Sequence, residues 1–370
     1  MSRELPKEET VGSLELVYEF DQGPMPTGVA VSRGGRVFVN FPRWPDNPAK
    51  NATVAEICDE QVLPFPEDWN TPTGNDDENA LVSVQSVVVD PADRLWILDT
   101  GRPGTDLAQR GGPKLVCVHL KTNKVVKKIV FEPEVALPTT YLNDVRFDLR
   151  RGKAGIAYIT DSSEEGPNGI IVVDLHSEEA WRRLRDHPST KAERPSGFLP
   201  IVEGQPLLVR EGEDSPPKPL TTGVDGIAIT ADGARIWYCP LASRRWYSVS
   251  ADALANREIG EYEVERTVID EGDKGGAADG LETDNKGRIY ATNWEHSAIL
   301  RRLPDGEIET LVHDPRLLWP DTLAVAEDWL YVTANQLHRR GRFHGGKDKR
   351  KHPYALFKIP IDAGPVPLVR

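Results

Sequence analysis

The chain has 370 residues, 39% apolar and 28% charged, which is a globular composition with enough length to bury a large core without staples. Its 45 Lys and Arg face 58 Asp and Glu, and the net charge of −13 excludes a general nucleic-acid-binding surface. No window approaches 18 consecutive apolar residues, so a membrane-spanning helix is excluded as well.

Residues 1–10 carry charges where a signal peptide needs an apolar run. They predict a cytoplasmic protein with an N-terminal tail, 1–13. The 31 Gly and 30 Pro, with short β-branched and aromatic runs, predict an all-β chain. Residues 14–20 form the first strand. One phrase then occurs six times: a small or polar pair, a strand, a turn, and a second strand. The copies span 26–40, 84–98, 142–159, 224–239, 278–292 and 320–332. A third apolar run follows each copy, starting at Thr53, Lys114, Gly169, Arg245, Ala298 and Tyr354, and several lead into a fourth. Six units of about four strands predict a six-bladed β-propeller. The last unit runs out of chain after Ile359, so the N-terminal strand is expected to join that blade and close the ring. The propeller then covers 14–362, with 363–370 as a C-terminal tail.

Two inserts break the period. Residues 59–80 are polar and Pro-rich and are expected to be a loop. Residues 177–222 hold the best helix candidate, 177–187, which has a Ser cap, an acidic first turn and Pro188 to stop it. Loops of this length in compact domains are binding loops or surface decoration. Residues 338–351 carry seven Lys or Arg against Asp348, either a solvated loop or a rim that attracts an anionic ligand. Cys117 and Cys239 fall inside apolar strands and are expected to be buried thiols.

The chemistry-bearing residues recur in phase with the repeat. At the start of the first strand of each copy stand Thr27, Gln85, Asn143 with Asp144, Asp225, Asp279 and Asp321. Innermost strands line a propeller's channel, so these positions are expected to converge on one mouth. Carboxyls brought together either bind a cation or hold a proton. An oxygen-only cage suits Ca²⁺ or Mg²⁺. The competing reading is that an Asp before Gly caps its own turn. A second set, Asn40, Asp99, Asp161, Asn293 with Trp294, and Asn335, ends the second strands and either backs the pocket wall or bonds blade to blade. His296 is expected at the surface. Serine-hydrolase and nucleotide-binding motifs are absent.

Several phrases together resemble the Yellow / major royal jelly protein family, from Leu14 to Ile359. They are Pro26-Thr-Gly-Val-Ala-Val, Asn47-Pro with Ala55-Glu-Ile, and Val84-Gln-Ser-Val-Val-Val-Asp90 with Leu95-Trp-Ile-Leu-Asp-Thr-Gly101. Tyr141-Leu-Asn-Asp-Val-Arg-Phe-Asp148, Tyr158-Ile-Thr-Asp-Ser162, Asp225-Gly-Ile-Ala and Thr333-Ala-Asn-Gln-Leu337 complete the set. The resemblance implies a six-bladed propeller. It also implies a choice among conversion of quinone-like indoles, binding of biogenic amines, and nutrient or signalling roles; members are usually secreted. A more distant similarity, to gluconolactonase-type propellers, implies a metal held by Asn143, Asp225 and Asp279. That family's early Glu is unmatched here, because the equivalent position is Thr27.

Three functions follow, each with a small-molecule partner and neither nucleic acid nor membrane. The first is a metal-independent tautomerase, isomerase or cyclisation catalyst acting on a cyclic, conjugated or quinone-like metabolite, without a cofactor. Asp225 and Asp279 would move protons, while Thr27, Gln85, Asn143, Asp144, Trp294, Asp321 and Asn335 hold the ligand. The second is a lactone hydrolase using Ca²⁺ or Mg²⁺ in the channel. The third is a non-catalytic binder of small molecules such as amines.

Overall fold

A computed structural model describes residues 9–45, 47, 51–70, 78–104, 107–108, 111–194 and 197–370. Six antiparallel four-stranded sheets are arranged as the blades of a β-propeller. From the inside outwards, blade 1 is Val29–Val31, Val37–Asn40, Val54–Cys58 and Gln61–Pro64. Blade 2 is Val84–Val89, Arg94–Thr100, Pro113–His119 and Lys124–Val130. Blade 3 is Leu142–Asp148, Ile156–Asp161, Gly169–Asp174 and Ala180–Arg183. Blade 4 is Val224–Ile229, Arg235–Pro240, Arg245–Ser250 and Ile269–Asp273. Blade 5 is Leu281–Thr283, Ile289–Asn293, Ala298–Arg302 and Ile308–His313.

Blade 6 takes Pro320–Ala326, Trp329–Ala334 and Tyr354–Pro360 from the chain's end and Glu15–Phe20 from its beginning. Phe20 pairs with Tyr354 and Glu15 with Lys358, so the expected ring closure is present. Each inner strand packs on the next, and the sixth on the first. The core is accordingly divided into wedges between blades. One holds Trp96, Phe147 and Ile171 between blades 2 and 3, another Tyr158, Ile227 and Tyr238 between blades 3 and 4.

Two expectations fail. Residues 177–187 form no helix; Ala180–Arg183 is the outer strand of blade 3, paired with Ile170–Val173, and a short 3-10 turn follows at Pro188–Thr190. Trp181 packs inward and donates its indole N–H to Leu254 O at 3.0 Å, so a tertiary contact overrides helical propensity. Nor is 59–80 all loop, since Gln61–Pro64 is a strand; residues 71–77 lie outside the described residues. Cys117 and Cys239 are buried and free, as expected. The end of the chain crosses the channel's lower mouth, where Asn285 N–H donates to Gly364 O and Leu149 N–H to Leu368 O, both at 2.9 Å.

Truncation before Asp21 should expose the edge of Tyr354–Pro360 and remove Phe20 from the core. Burial of Phe20 alone contributes about 2–3 kcal/mol. The melting temperature, followed by circular dichroism, should fall by at least about 3 °C; unchanged melting would mean that the ring holds without its clasp.

Candidate functional site

Four of the six inner strands change register at the chemistry-bearing position. The irregularities fall between Val84 and Ser86, Leu142 and Val145, Val224 and Ile227, and Pro320 and Leu323. They bracket Gln85, Asn143, Asp225 and Asp321. A bulge frees a residue from the ladder and re-aims its side chain. In blade 5 the pairing begins at Leu281, leaving Asp279 ahead of it. Gly226 and Gly280 let these strand starts close up. A Cβ on Gly226 would stand 2.2 Å from Asp279 O, and one on Gly280 2.5 Å from Asp321 O. The Gly after Asp thus serves close approach between blades, not a turn.

The result is a cavity of about 630 Å³ at this mouth. Gln85, Asn143, Asp225, Asp279 and Asp321 all line it. Thr27, Asp144, Trp294 and Asn335 do not; they stand behind the wall. Thr27 is fully buried and accepts the Asn40 amide at 2.8 Å. Asp144 pairs with Arg146 at 2.8 Å and accepts from Ser86 Oγ at 2.7 Å. Asn335 donates to Asp321 Oδ2 at 2.6 Å and to Pro26 O, linking blade 6 to blade 1. Trp294 stacks on Trp319, with ring centres 4.4 Å apart.

In the second set Asn40 and Asn335 bond blade to blade, whereas Asp99 and Asp161 bond within their own blades. Asn40 donates to Val84 O and Gln85 O of blade 2. Asp99 accepts from Val82 N–H and Ser83 N–H and pairs with the fully buried Lys114 at 3.1 Å. Asp161 accepts from Tyr141 N–H and pairs with Arg182. Asn293 donates to Gly275 O. His296 is exposed.

The aromatic wall comes from residues that the repeat did not mark. Tyr141 donates its hydroxyl to Gln85 Oε1 and accepts from Trp44 Nε1, both at 2.8 Å, and burial pushes its pKa up. Trp319 donates its indole N–H to Asp279 Oδ2 at 2.7 Å. Tyr141 and Trp319 each stand two residues before an in-phase position, Asn143 and Asp321, and that spacing is the signal that could have found them. Trp44 and Phe343 come from loops and carry no such signal. Residues 207–222 and 338–351 form part of the rim. Arg210 N–H donates to Arg342 O at 2.6 Å, and Arg342 pairs with Glu164 at 2.9 Å. Much of the basic stretch is engaged this way, Arg339 with Glu203 and Arg350 with Asp348. Arg340 stands over Trp44 at 4.2 Å.

Asp225, Asp279 and Asp321 are each at most 8% exposed. Burial, then Asp279 and Asp321, push Asp225 well above the usual carboxylate range. Burial and Asp279 do the same to Asp321, opposed by the Asn335 amide. Asp279 is raised by burial to about 6, opposed by the Trp319 N–H and a hydrogen bond from Asp225. Groups so close oppose one another's ionisation, and the three are expected to titrate as a set.

The residues do not fit a resident divalent ion. Blade 1 supplies Thr27 and no carboxylate, and a side-chain N–H points at Oδ2 of each Asp: Asn143 at Asp225, Trp319 at Asp279, Asn335 at Asp321. Among the described residues, no three His, Cys, Asp or Glu side chains close on a point as metal ligands do.

Sequence comparison decides the family. The family model described as Major royal jelly protein matches residues 82–356, about three quarters of the chain. The chain belongs to that family. Major royal jelly protein 7 of Apis mellifera is 27% identical over 237 residues, 62% of this chain and 49% of that protein. Protein yellow of Drosophila erecta is 26% identical over 259 residues, 67% of this chain and 44% of that protein. The chain thus spans about half the length of the curated relatives it matches. This royal-jelly-family propeller also superposes on a gluconolactonase from Xanthomonas campestris with a TM-score of 0.54 at 10% identity. That match covers 96% of this chain and 98% of the other, and shows a shared fold.

A carboxyl raised in the folded state stabilises the protein while protonated and loses that contribution as pH rises from its unfolded value to its folded one. For Asp279 the window is about pH 4 to 6. Asp279→Asn should melt like the wild type at pH 4 and gain on it through this window, by about 2–3 kcal/mol above pH 6. Thermal melts of both proteins from pH 4 to 8 measure this; an Asn variant that gains nothing on the wild type across the window would contradict the shift.

Proposed function

We propose that the cavity is the active site of a small-molecule enzyme that moves protons on a cyclic, conjugated or quinone-like metabolite, as a tautomerase, isomerase or cyclisation catalyst. The observation that carries this reading is the row of three buried carboxyls facing an aromatic-walled cavity, with burial pushing Asp279 up to about 6. A group whose pKa lies near working pH exists in both forms, which is what a general acid–base needs. Asp279, as carboxylate, takes a proton from an acidic C–H, N–H or O–H of the conjugated substrate. Asp225, protonated, gives one to another atom of the same π-system. The electron pair shifts through that system, the proton count is unchanged, and neither oxidant nor reductant is consumed. Asn143 and Gln85 supply hydrogen bonds that orient the ring, and Trp44, Tyr141 and Trp319 supply its flat surroundings.

The same carboxyl floor and aromatic wall suit an ammonium group, so non-catalytic binding of an amine is the second reading. Wild type, Asp225→Asn and Asp279→Asn would be assayed on conjugated ring ketones and indole-quinones, with calorimetric titration of biogenic amines in parallel. The Asn variants keep the shape and remove the proton, so the rate should fall about 10²–10⁴-fold. Tight amine binding with no turnover on any substrate would favour the second reading. Unchanged rates in both variants would remove these carboxyls from the mechanism.

We infer further that the site works without a resident divalent ion. Melts in EDTA and in millimolar Ca²⁺ or Mg²⁺ should coincide. An ion at 100 times its dissociation constant would add about 2.7 kcal/mol, and a rise of that size would return the lactone hydrolase.

A further inference from the structure

The cavity differs from one side to the other. Asp225, Asp279 and Asp321 come from blades 4, 5 and 6, which are consecutive in the ring. The opposite arc, blades 1 to 3, brings Trp44, Gln85 and Tyr141, joined in one chain of hydrogen bonds. In a ring of six, blade 2 stands across from blade 5, so Gln85 and Asp279 start from opposite sides of the channel.

That chain has one direction. An indole N–H can only donate, and Trp44 Nε1 donates to the Tyr141 oxygen at 2.8 Å. The Tyr141 proton then needs an acceptor of its own, and Gln85 Oε1 supplies it at 2.8 Å. The Gln85 amide is thereby turned with its oxygen to Tyr141, and its N–H groups are what it offers the cavity that it lines. Its main chain is pinned as well, since Gln85 O accepts the Asn40 amide at 2.9 Å. Asn143 is the reverse case: its amide nitrogen donates to Ser162 Oγ at 2.9 Å and to Asp225 Oδ2 at 2.8 Å, which leaves it an acceptor. Positive charge gathers on the same arc as Gln85. The Arg102 guanidinium stands 5.8 Å from the Tyr141 ring centre, and that of Arg340 4.2 Å from the Trp44 ring centre.

We propose that Gln85 is the donor of an oxyanion subsite, which holds the carbonyl oxygen of a conjugated ring ketone or quinone across the cavity from the carboxyls, and that Trp44 and Tyr141 are the positioning residues that aim its amide. An N–H donor flanked by guanidinium groups suits an oxygen that is neutral in the substrate and negative in the transition state; it does not suit an ammonium group. In the reaction, a carboxylate of the blade 4–6 arc takes the proton of a C–H bond conjugated with the carbonyl. The electron pair moves through the π-system, and the carbonyl oxygen takes up the negative charge beside Gln85. A carboxyl of the same arc then gives a proton to another carbon of the system and the C=O bond re-forms, so no oxidant or reductant is consumed. This role in catalysis rests on the acid–base reading above; the direction of the amide and its preference for a carbonyl oxygen do not.

The probes are 1-indanone and indane, one ring system with and without a carbonyl oxygen, titrated by calorimetry. Wild type should bind 1-indanone about 2- to 10-fold more tightly than indane. In Gln85→Glu a carboxylate oxygen replaces the N–H at the same shape, and the preference should reverse; a preference kept would overturn the proposal. Tyr141→Phe frees the amide to turn, so the preference should shrink while the affinity for indane holds. A preference unchanged in Tyr141→Phe, or both affinities lost together, would overturn the positioning role. Neutron diffraction of the wild type covers variants that do not fold. Deuterium on the Tyr141 oxygen, directed at Gln85 Oε1, is expected; a Gln85 ND₂ group turned to Tyr141 would overturn the proposal, as would a wild type that binds neither probe. If a turnover assay is in hand, Gln85→Glu should lower kcat about 10²–10³-fold. Turnover lost in Asp225→Asn and Asp279→Asn but kept in Gln85→Glu would sustain the acid–base reading and overturn this one. A Gln85-dependent preference for 1-indanone in a protein that turns over nothing would sustain the carbonyl subsite and defeat the enzymatic reading.

Discussion

Six strand starts crowd one mouth of the channel, and their backbones approach so closely that two of them leave no room for a Cβ: Gly226 against Asp279 O and Gly280 against Asp321 O. That approach sets the chemistry. It puts three Asp side chains from three consecutive blades side by side, out of water, where each opposes the ionisation of the next. The bulges at Asn143, Asp225 and Asp321 turn the side chains inward, and hydrogen bonds between blades fix the spacing. Thr160 Oγ1 donates to Asp225 O at 2.7 Å, and Thr333 Oγ1 to Thr27 O at 2.6 Å. A row of buried carboxyls destabilises the fold at neutral pH, and a chain that keeps it retains a cost that function explains better than architecture does.

Over this floor the protein builds an upper storey from loops. Trp44 enters from the connection after Asn40, and Arg340 and Phe343 from the basic stretch. Leu220 comes from the long insert of blade 3. Ion pairs between loops such as Arg342 with Glu164 bind this storey together while the propeller holds the floor rigid. The storey belongs to the loops, where ligand preference varies most freely. The floor belongs to the fold.

The blades were legible because inner and middle strands are continuous apolar runs bounded by turn residues, as in Leu95-Trp-Ile-Leu98. Outer strands lack that mark. Gln61–Pro64 and Ala180–Arg183 lie at a half-exposed edge, so their residues are mixed, and Ser177-Glu-Glu-Ala imitates a helix start. At the site, in-phase spacing located Gln85, Asn143, Asp225, Asp279 and Asp321, because equivalent positions in a ring meet at one mouth. It also swept in Thr27 and Asp144, which share the phase but spend their bonds on neighbouring strands. Phase cannot tell a side chain turned into the channel from one turned into the wall; the local course of the backbone decides that, and it leaves no periodic trace. Trp294 and Asn335 fell behind the wall for a related reason, since they end second strands, one layer out.

The account stands on protons held within the carboxyl row at neutral pH. Infrared difference spectroscopy between wild type and the Asp225→Asn/Asp279→Asn/Asp321→Asn triple variant, at pH 7 without ligand, reads this directly. A protonated-carboxyl C=O stretch present in the wild type, absent from the triple variant and lost as the pH is raised is the expected result. A difference spectrum with carboxylate bands alone would mean that all three Asp are ionised at pH 7, and would contradict the shared-proton site.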